Sequence, residues 1–350
     1  MSTNTAIVIK SQGVAELSPV SIPSLRDGYV LVKVKAVALN PTDVLHIDLI
    51  PTPGTRSGCD FAGVIEEVGP NVTKSFKEGD RIAGVVHGGN AVNEEDGAFA
   101  QHIVAKADVA LRIPDSLTFE EAATLGVGIT TVGQGLYQSL KLPLPDKPSP
   151  NREYLLIYGG STATGALAIQ FAKLSGLRVL VTASPKHFDY VRDLGADAVF
   201  DYKSETLVEE LRKYTGGHLK YVFDCISTED TARKAVSVLG AGGSYSALRI
   251  LPENVVAWIG ERASYNMTLA YTAIGEAFQF GPHTFPAKPE DAAFARDFWI
   301  LAEGLLAEGK IRVHKPKVNT DGSGLAAVLK GLDEVRNGTV SGEKLVYSLD

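Results

Sequence analysis

A chain of 350 residues, 45% apolar and 21% charged, has material for two folded domains and no tract polar enough to stay unfolded. Its net charge of −7, without a run of Lys or Arg, excludes a nucleic-acid binder, whose affinity rests on clustered cations that release counterions. Two distant cysteines, Cys59 and Cys225, build neither a disulfide framework nor a four-cysteine zinc lobe, and with no run near the roughly 18 apolar residues of a membrane span and no leader-like start, the cytosol is the expected location.

Residues 1–125 read as a β-rich domain of short segments between Gly, Pro and Asp turns, at 6–9, 29–39, 60–68, 80–86 and 98–104. Val30 to Ala36 alternates as a strand with one buried face does, and no helix competes before about Phe119. From 126 to 308 strands alternate with helical patterns, which predicts a parallel sheet covered by helices. The strands are expected at 154–157, 178–182, 198–200, 221–225 and 244–248, the helices at 166–174, 188–194, 206–214 and 231–239. The four prolines between Lys141 and Arg152 mark a surface loop. After Pro289 come an amphipathic helix, 291–306, a segment 310–318, a helix 325–336 and a strand 344–348, a return to β structure.

Between the first of these parallel strands and its helix lies Tyr158-Gly-Gly-Ser-Thr-Ala-Thr-Gly165. Strand, tight loop and helix N-terminus make the geometry in which a pyrophosphate sits on free backbone N–H groups. The middle positions Thr162 and Ala163 are small rather than glycine, so phosphates still approach, and the hydroxyls of Ser161, Thr162 and Thr164 can donate to them. The alternative is a plain turn capped by Ser161 or Thr162. An NAD-selective site places a carboxylate about 20 positions on, at the end of the second strand. Here that strand runs into Ser184-Pro185-Lys186-His187, where a hydroxyl and a lysine suit a 2′-phosphate, so NADPH is the expected cofactor; the alternative for Lys186 is a solvated helix-start lysine.

These segments, with Asn40-Pro-Thr-Asp43, GCDFAGVIEEVG (58–69), FKEGDRIAG (76–84), GAFAQH (97–102), EEAATLGVGITTVGQGLY (120–137), TASPKHFDYVRDLGADAVFDY (182–202) and VSGEKLVYSL (340–349), carry a resemblance over essentially the whole chain. The sequence resembles the zinc-free, quinone oxidoreductase-like branch of the medium-chain dehydrogenase/reductases, and within it the fungal trans-acting enoyl reductases of polyketide synthases. The resemblance implies an α/β fold with a GroES-like domain, 1–125 completed by 309–350, and a Rossmann domain, 126–308. It implies that Ser161, Thr162, Ala163 and Thr164 line the pyrophosphate, Ser184 to His187 the 2′-phosphate and Tyr202 the adenine. Leu248 would border the cofactor, Val340 and Ser341 would close over the nicotinamide, and Thr130 and Thr131 would floor the cleft.

Zinc members of the superfamily hold the metal with cysteine, histidine and a carboxylate. Where a His-Glu pair commonly sits, this chain has Cys59-Asp60, its partner cysteines are missing, and Asp43 stands where one ligand would begin; no metal is expected. Hydride delivery is then expected onto a conjugated C=C bond, with the protein orienting donor and acceptor. The candidate catalytic residues are Asn40, Asp43, His46 and Thr130. Relatives often carry Trp-Lys after Asn-Pro-Thr-Asp, whereas this chain has Val44-Leu45-His46, so His46 either inherits that lysine's role or is an ordinary histidine. The aromatics of 251–289, Trp258, Tyr265, Tyr271, Phe278 and Phe280 among them, are either substrate-channel walls or core. The leading expectation is an NADPH-dependent enoyl reductase of a free or carrier-bound polyketide intermediate, acting as a monomer. A quinone or 2-alkenal reductase, and a non-enzymatic NADPH-binding protein, are carried beside it. A carrier domain would be met only by the diffuse basic rim of Arg249, Arg262, Lys310, Arg312 and Lys315.

Overall fold

The computed structural model, which describes residues 3–349, divides into two units. One is built from the chain up to Thr130 and again from Tyr271 onward; the other is the unbroken stretch Thr131–Ala270.

At the centre of the first unit the strand Tyr29–Ala38 buries Val30, Val32 and Val34 and turns Lys33 outward, the period of two that one covered face requires. It pairs antiparallel with Asp60–Val68, with His102–Lys106 and, through Ala36–Ala38, with the last strand, Lys344–Ser348. Asp60–Val68 continues to Arg81–Val85 and Ala110–Arg112. A hairpin, Thr3–Ser11 with Val14–Ser21, joins by bridges at Ala6 and Val8. Ile7, Val32, Phe61, Ile82 and Phe99 form the core together with Val328 and Tyr347 from the far end of the chain. Val346 lies opposite Ala38, so two residues further along the pairing Lys344 faces Asn40.

Three features depart from the sequence reading. A helix, Pro41–Asp48, does precede Phe119: Asn40 caps it, proline opens it and Asp43 at the third position bonds back to the Asn40 N–H at 2.7 Å, a short capped element that reads locally as a turn. Within 310–318 only Pro316–Val318 is a strand. Residues 271–308, read as part of the Rossmann portion, pack with the first unit, because the helix Pro289–Ala307 lays its buried face, Phe298, Trp299 and Ala302 included, on Ala107–Val109 and Ala110–Arg112.

In the second unit six parallel strands stand in the order Ala198–Asp201, Arg178–Ala183, Tyr154–Tyr158, Leu219–Asp224, Leu239–Ala247, Ser264–Met267. Counted along the chain this is 3-2-1-4-5-6, the doubly wound dinucleotide-binding order. The sixth strand, which the sequence reading left among the aromatics of 251–289, is a polar edge, Ser-Tyr-Asn-Met. No helix of the described residues is long and apolar enough to cross a membrane.

Candidate active site

In the second unit the order of strands reverses between Tyr154–Tyr158 and Leu219–Asp224, and a parallel sheet of this kind binds its ligand beyond the carboxyl ends at that point. Tyr158 aligns with Thr182 and Asp224, Ala183 with Asp201, and Asp224 with Ala247. The loop after Tyr158, Ser184 to His187, Tyr202 and Leu248 therefore share one edge. Gly159 turns at φ +83°, a Cβ on Gly160 would stand 2.1 Å from Val181 Cγ1, and one on Gly165 would stand 2.4 Å from the Gly159 carbonyl. Only glycine lets the helix Ala163–Leu174 start this close to the strand.

Thr162 caps that helix: its hydroxyl accepts from Gly165 N–H at 3.0 Å and donates to the Gly159 carbonyl at 2.8 Å. The Thr162 hydroxyl expected on phosphate is thus spent on the loop, which leaves the half-buried hydroxyls of Ser161 and Thr164 and the first helical N–H groups, Ala163's among them. The second strand ends in half-buried Ser184, then exposed Pro185 and Lys186 and half-buried His187, with no carboxylate before Asp189. Tyr202 is 38% exposed, and Leu248 N–H donates to Ser227 at 2.8 Å. This edge fits a dinucleotide. Val340 and Ser341 belong to the first unit, where Val340 rests on the core.

In the first unit Asp60 is a hub with no solvent exposure. Its Oδ1 accepts from Val127 N–H at 2.6 Å, at the start of the helix Gly126–Val132 that carries Thr130. Its Oδ2 accepts from Asn40 Nδ2 at 3.0 Å and from the Lys344 ammonium, which also donates to Asn40 Oδ1 at 2.9 Å. A Cβ on Gly126 would stand 2.4 Å from Asp60 Oδ1, so the helix closes on the carboxylate only through glycine. Asp43, also buried, takes the Asn40 N–H on Oδ2; burial lifts its pKa to about 7 against that hydrogen bond, with the Asp60 charge adding to the rise. Thr130 is buried, and its hydroxyl accepts from the Trp299 indole at 3.2 Å.

His46 sits one turn along the helix from Thr42 and donates Nδ1–H to the Thr42 carbonyl at 2.8 Å. That fixes the tautomer: Nε2 carries no proton, has no polar partner, and burial holds the ring neutral. Around it stand His87, which sequence reasoning did not name, and aromatics that it left open between channel wall and core. Tyr271 bonds Thr42 Oγ1 at 2.6 Å, stacks on His87 with centroids 3.9 Å apart, and meets His46 edge-on at 5.6 Å. Phe278 and Phe280 pack against the same rings. Of the aromatics left open between channel wall and core, Tyr271 and Phe278 are buried in the first unit with Phe280 half-buried against them, while Trp258 lies between Arg233 and Arg262 on the second.

Residues 26–115 match the alcohol dehydrogenase GroES-like domain and 163–275 the zinc-binding dehydrogenase family. The trans-enoyl reductase resD of Aspergillus sclerotiorum is 48% identical over 345 residues, spanning 93% of this chain and 94% of that protein, and ACTTS2 of Alternaria alternata is 44% identical over the full length of both. The chain belongs to the medium-chain dehydrogenase/reductase family. Among solved members, an alcohol dehydrogenase superfamily protein from Novosphingobium aromaticivorans matches with a TM-score of 0.79 at 24% identity, covering 99% of this chain and 100% of that one. The CurK enoyl reductase matches at 0.77 and 20%, covering 99% of each. Family membership fits a nicotinamide cofactor on the Rossmann edge. Among the described residues no three His, Cys, Asp or Glu stand together as metal ligands, and the Asp60 carboxylate is paired with Lys344.

Proposed function

We propose that this chain is a zinc-independent trans-enoyl reductase that uses NADPH to reduce the activated C=C bond of a polyketide intermediate. The observation that carries the reading is identity of 38–50% with trans-enoyl reductases over nearly the whole chain. The second strand supports NADPH over NADH by ending in Ser184 and Lys186 where an acid would select the ribose hydroxyl. When bound, the dinucleotide supplies a hydride to the β-carbon. The chain's own part is to hold it: Ser161, Thr164 and the N-terminus of Ala163–Leu174 at the pyrophosphate, Ser184 to His187 at the 2′-phosphate, Tyr202 at the adenine and Leu248 alongside. The negative charge that grows on the substrate carbonyl is met by hydroxyls and backbone N–H groups rather than by a metal.

A carrier-bound substrate would need a cationic face for an acidic carrier. Of the basic rim, Arg262, Lys310 and Lys315 are paired with Glu261, Glu308 and Glu343, which leaves little net charge, so carrier-bound and free substrates are separated by assay.

Loss of NADPH absorbance, followed with an enoyl pantetheine thioester, a free 2-alkenal and a quinone, tests the reading. Thioester turnover unaffected by a chelator, with Lys186→Ala raising KM for NADPH about tenfold and leaving that for NADH unchanged, is the expected result. Turnover of quinone or alkenal alone makes this a detoxifying reductase, and tight NADPH binding without turnover of any of the three makes it a non-enzymatic binder.

A further inference from the structure

Reduction of an enoyl thioester needs a proton at the α-carbon, and most groups of the polar network cannot give one. Lys344 is pinned by Asp60, Asn40 and the Thr124 carbonyl, and a proton leaving it would strand Asp60 as a buried, unpaired anion. His46 keeps its only proton on the nitrogen bound to the Thr42 carbonyl. His87 is held neutral by burial and by His46 beside it. The Asp43 carboxyl and the Cys59 thiol can hold a proton but are buried behind Tyr271, which leaves the pair of hydroxyls of Thr42 and Tyr271, 2.6 Å apart, to reach outward.

Exposure singles out one of the two. Asn40, Asp43, His46, Cys59, Asp60, His87, Tyr271 and Lys344 are all buried, whereas Thr42 is half-buried; of these residues it alone reaches solvent. Tyr271 cannot swing away from it, because its ring is stacked on His87 and edged by His46 and Phe278.

Resting on the enoyl reductase reading, the geometry points to Thr42 as the group that hands the proton to the substrate's α-carbon, with Tyr271 as the positioning residue that resupplies it. The Thr42 O–H bond breaks as the α-carbon–hydrogen bond forms. The Tyr271 proton moves to Thr42 Oγ1, and the phenolate regains one derived from water, so each turnover takes one proton from solvent and no electrons beyond the hydride pair. A thioester enolate is basic enough to take a proton even from a phenol whose acidity burial has weakened. Behind Tyr271 lie the Cys59 thiol and then Asp43, whose carboxyl still holds a proton in part of the molecules at neutral pH and returns it to the phenol.

The test uses the full chain, NADPH and an α-methyl enoyl pantetheine thioester in deuterated water. Thr42→Val should lower kcat about 100-fold, at the low end of what a positioned acid contributes. Thr42→Ser should restore it to within about threefold, and Tyr271→Phe should lower it about tenfold with a larger solvent isotope effect. NADPH binding, read by fluorescence, and the thermal midpoint should stay at wild-type values. The wild type should give one α-epimer and Thr42→Val a mixture, an outcome that loss of packing alone does not produce. A single epimer and near-wild-type kcat from Thr42→Val overturns the assignment, and if that variant does not fold, an unchanged isotope effect in Tyr271→Phe does so. Wild-type protein that leaves every enoyl thioester unreduced overturns the underlying reading, and the assignment with it.

Discussion

Asp60 accepts from the starts of two helices and from a lysine 284 positions further along the chain. An ion pair this deep contributes little net stability while whole, but removing one partner leaves a charge that the interior cannot solvate. Asp60→Asn should destabilise the protein by about 3–5 kcal/mol in urea unfolding; a loss under about 1 kcal/mol would mean that Lys344 finds water. Asp43 acts through pH. Its pKa rises from 3.8 to about 7 on folding, so its contribution is complete below about pH 4 and is lost as pH climbs through 7. His46 and His87 have the opposite sign: folding lowers both, and their contribution disappears as pH falls below about 6.5. Asp43→Asn should therefore lose less of its thermal midpoint than wild type between about pH 4 and 7, and parallel curves would show that folding does not raise the Asp43 pKa. Asn40, Asp43, His46 and Thr130 sit in local motifs, which is why the sequence reading proposes them. Lys344 and His87 could not be found that way, and Tyr271 was named only as a channel-wall or core aromatic, since each meets the site across at least 40 positions of chain. The one clue was a lysine heading the otherwise apolar strand Lys-Leu-Val-Tyr.

The strand, loop and helix of Tyr154–Leu174 were legible because an apolar run, a loop of small residues and a helical stretch follow one another there. The helix Pro41–Asp48 was not: eight residues are too few to show a period, and its cap signature is also a turn signature. The edge strand Ser264–Met267, with only half-buried and exposed positions, lacks the apolar run that marks the interior strands. The cofactor loop is where an element depends on one atom. Gly165→Ala would drive a Cβ into the Gly159 carbonyl and tilt the helix N-terminus that is proposed to hold the pyrophosphate. NADPH affinity should fall about tenfold or more by fluorescence titration, with the six-stranded sheet intact by circular dichroism; undiminished affinity would show that the loop relaxes.

Two architectures share one chain, and the sequence reading divides them near residue 126, where the strand texture changes. It separates them poorly on the return, since the aromatic stretch after Ala270 looks alike whichever core it joins. The second unit is uninterrupted, whereas the first is closed only when Lys344–Ser348 pairs with Ala36–Ala38. On a ribosome this imposes an order: the stretch Thr131–Ala270 is complete while the sheet begun before it still waits for its final strand, and contacts of such separation form slowly. Nascent chains arrested late enough for Ala270 to have emerged should yield a protease-resistant core from the middle of the sequence and rapid digestion before Thr130; equal resistance of both would mean that the early strands need no closing partner. During every round of synthesis, then, the half-made protein presents an open sheet edge, and the chaperones that meet it have the time needed to translate eighty residues, Tyr271 to Asp350, in which to keep it from pairing with a neighbour.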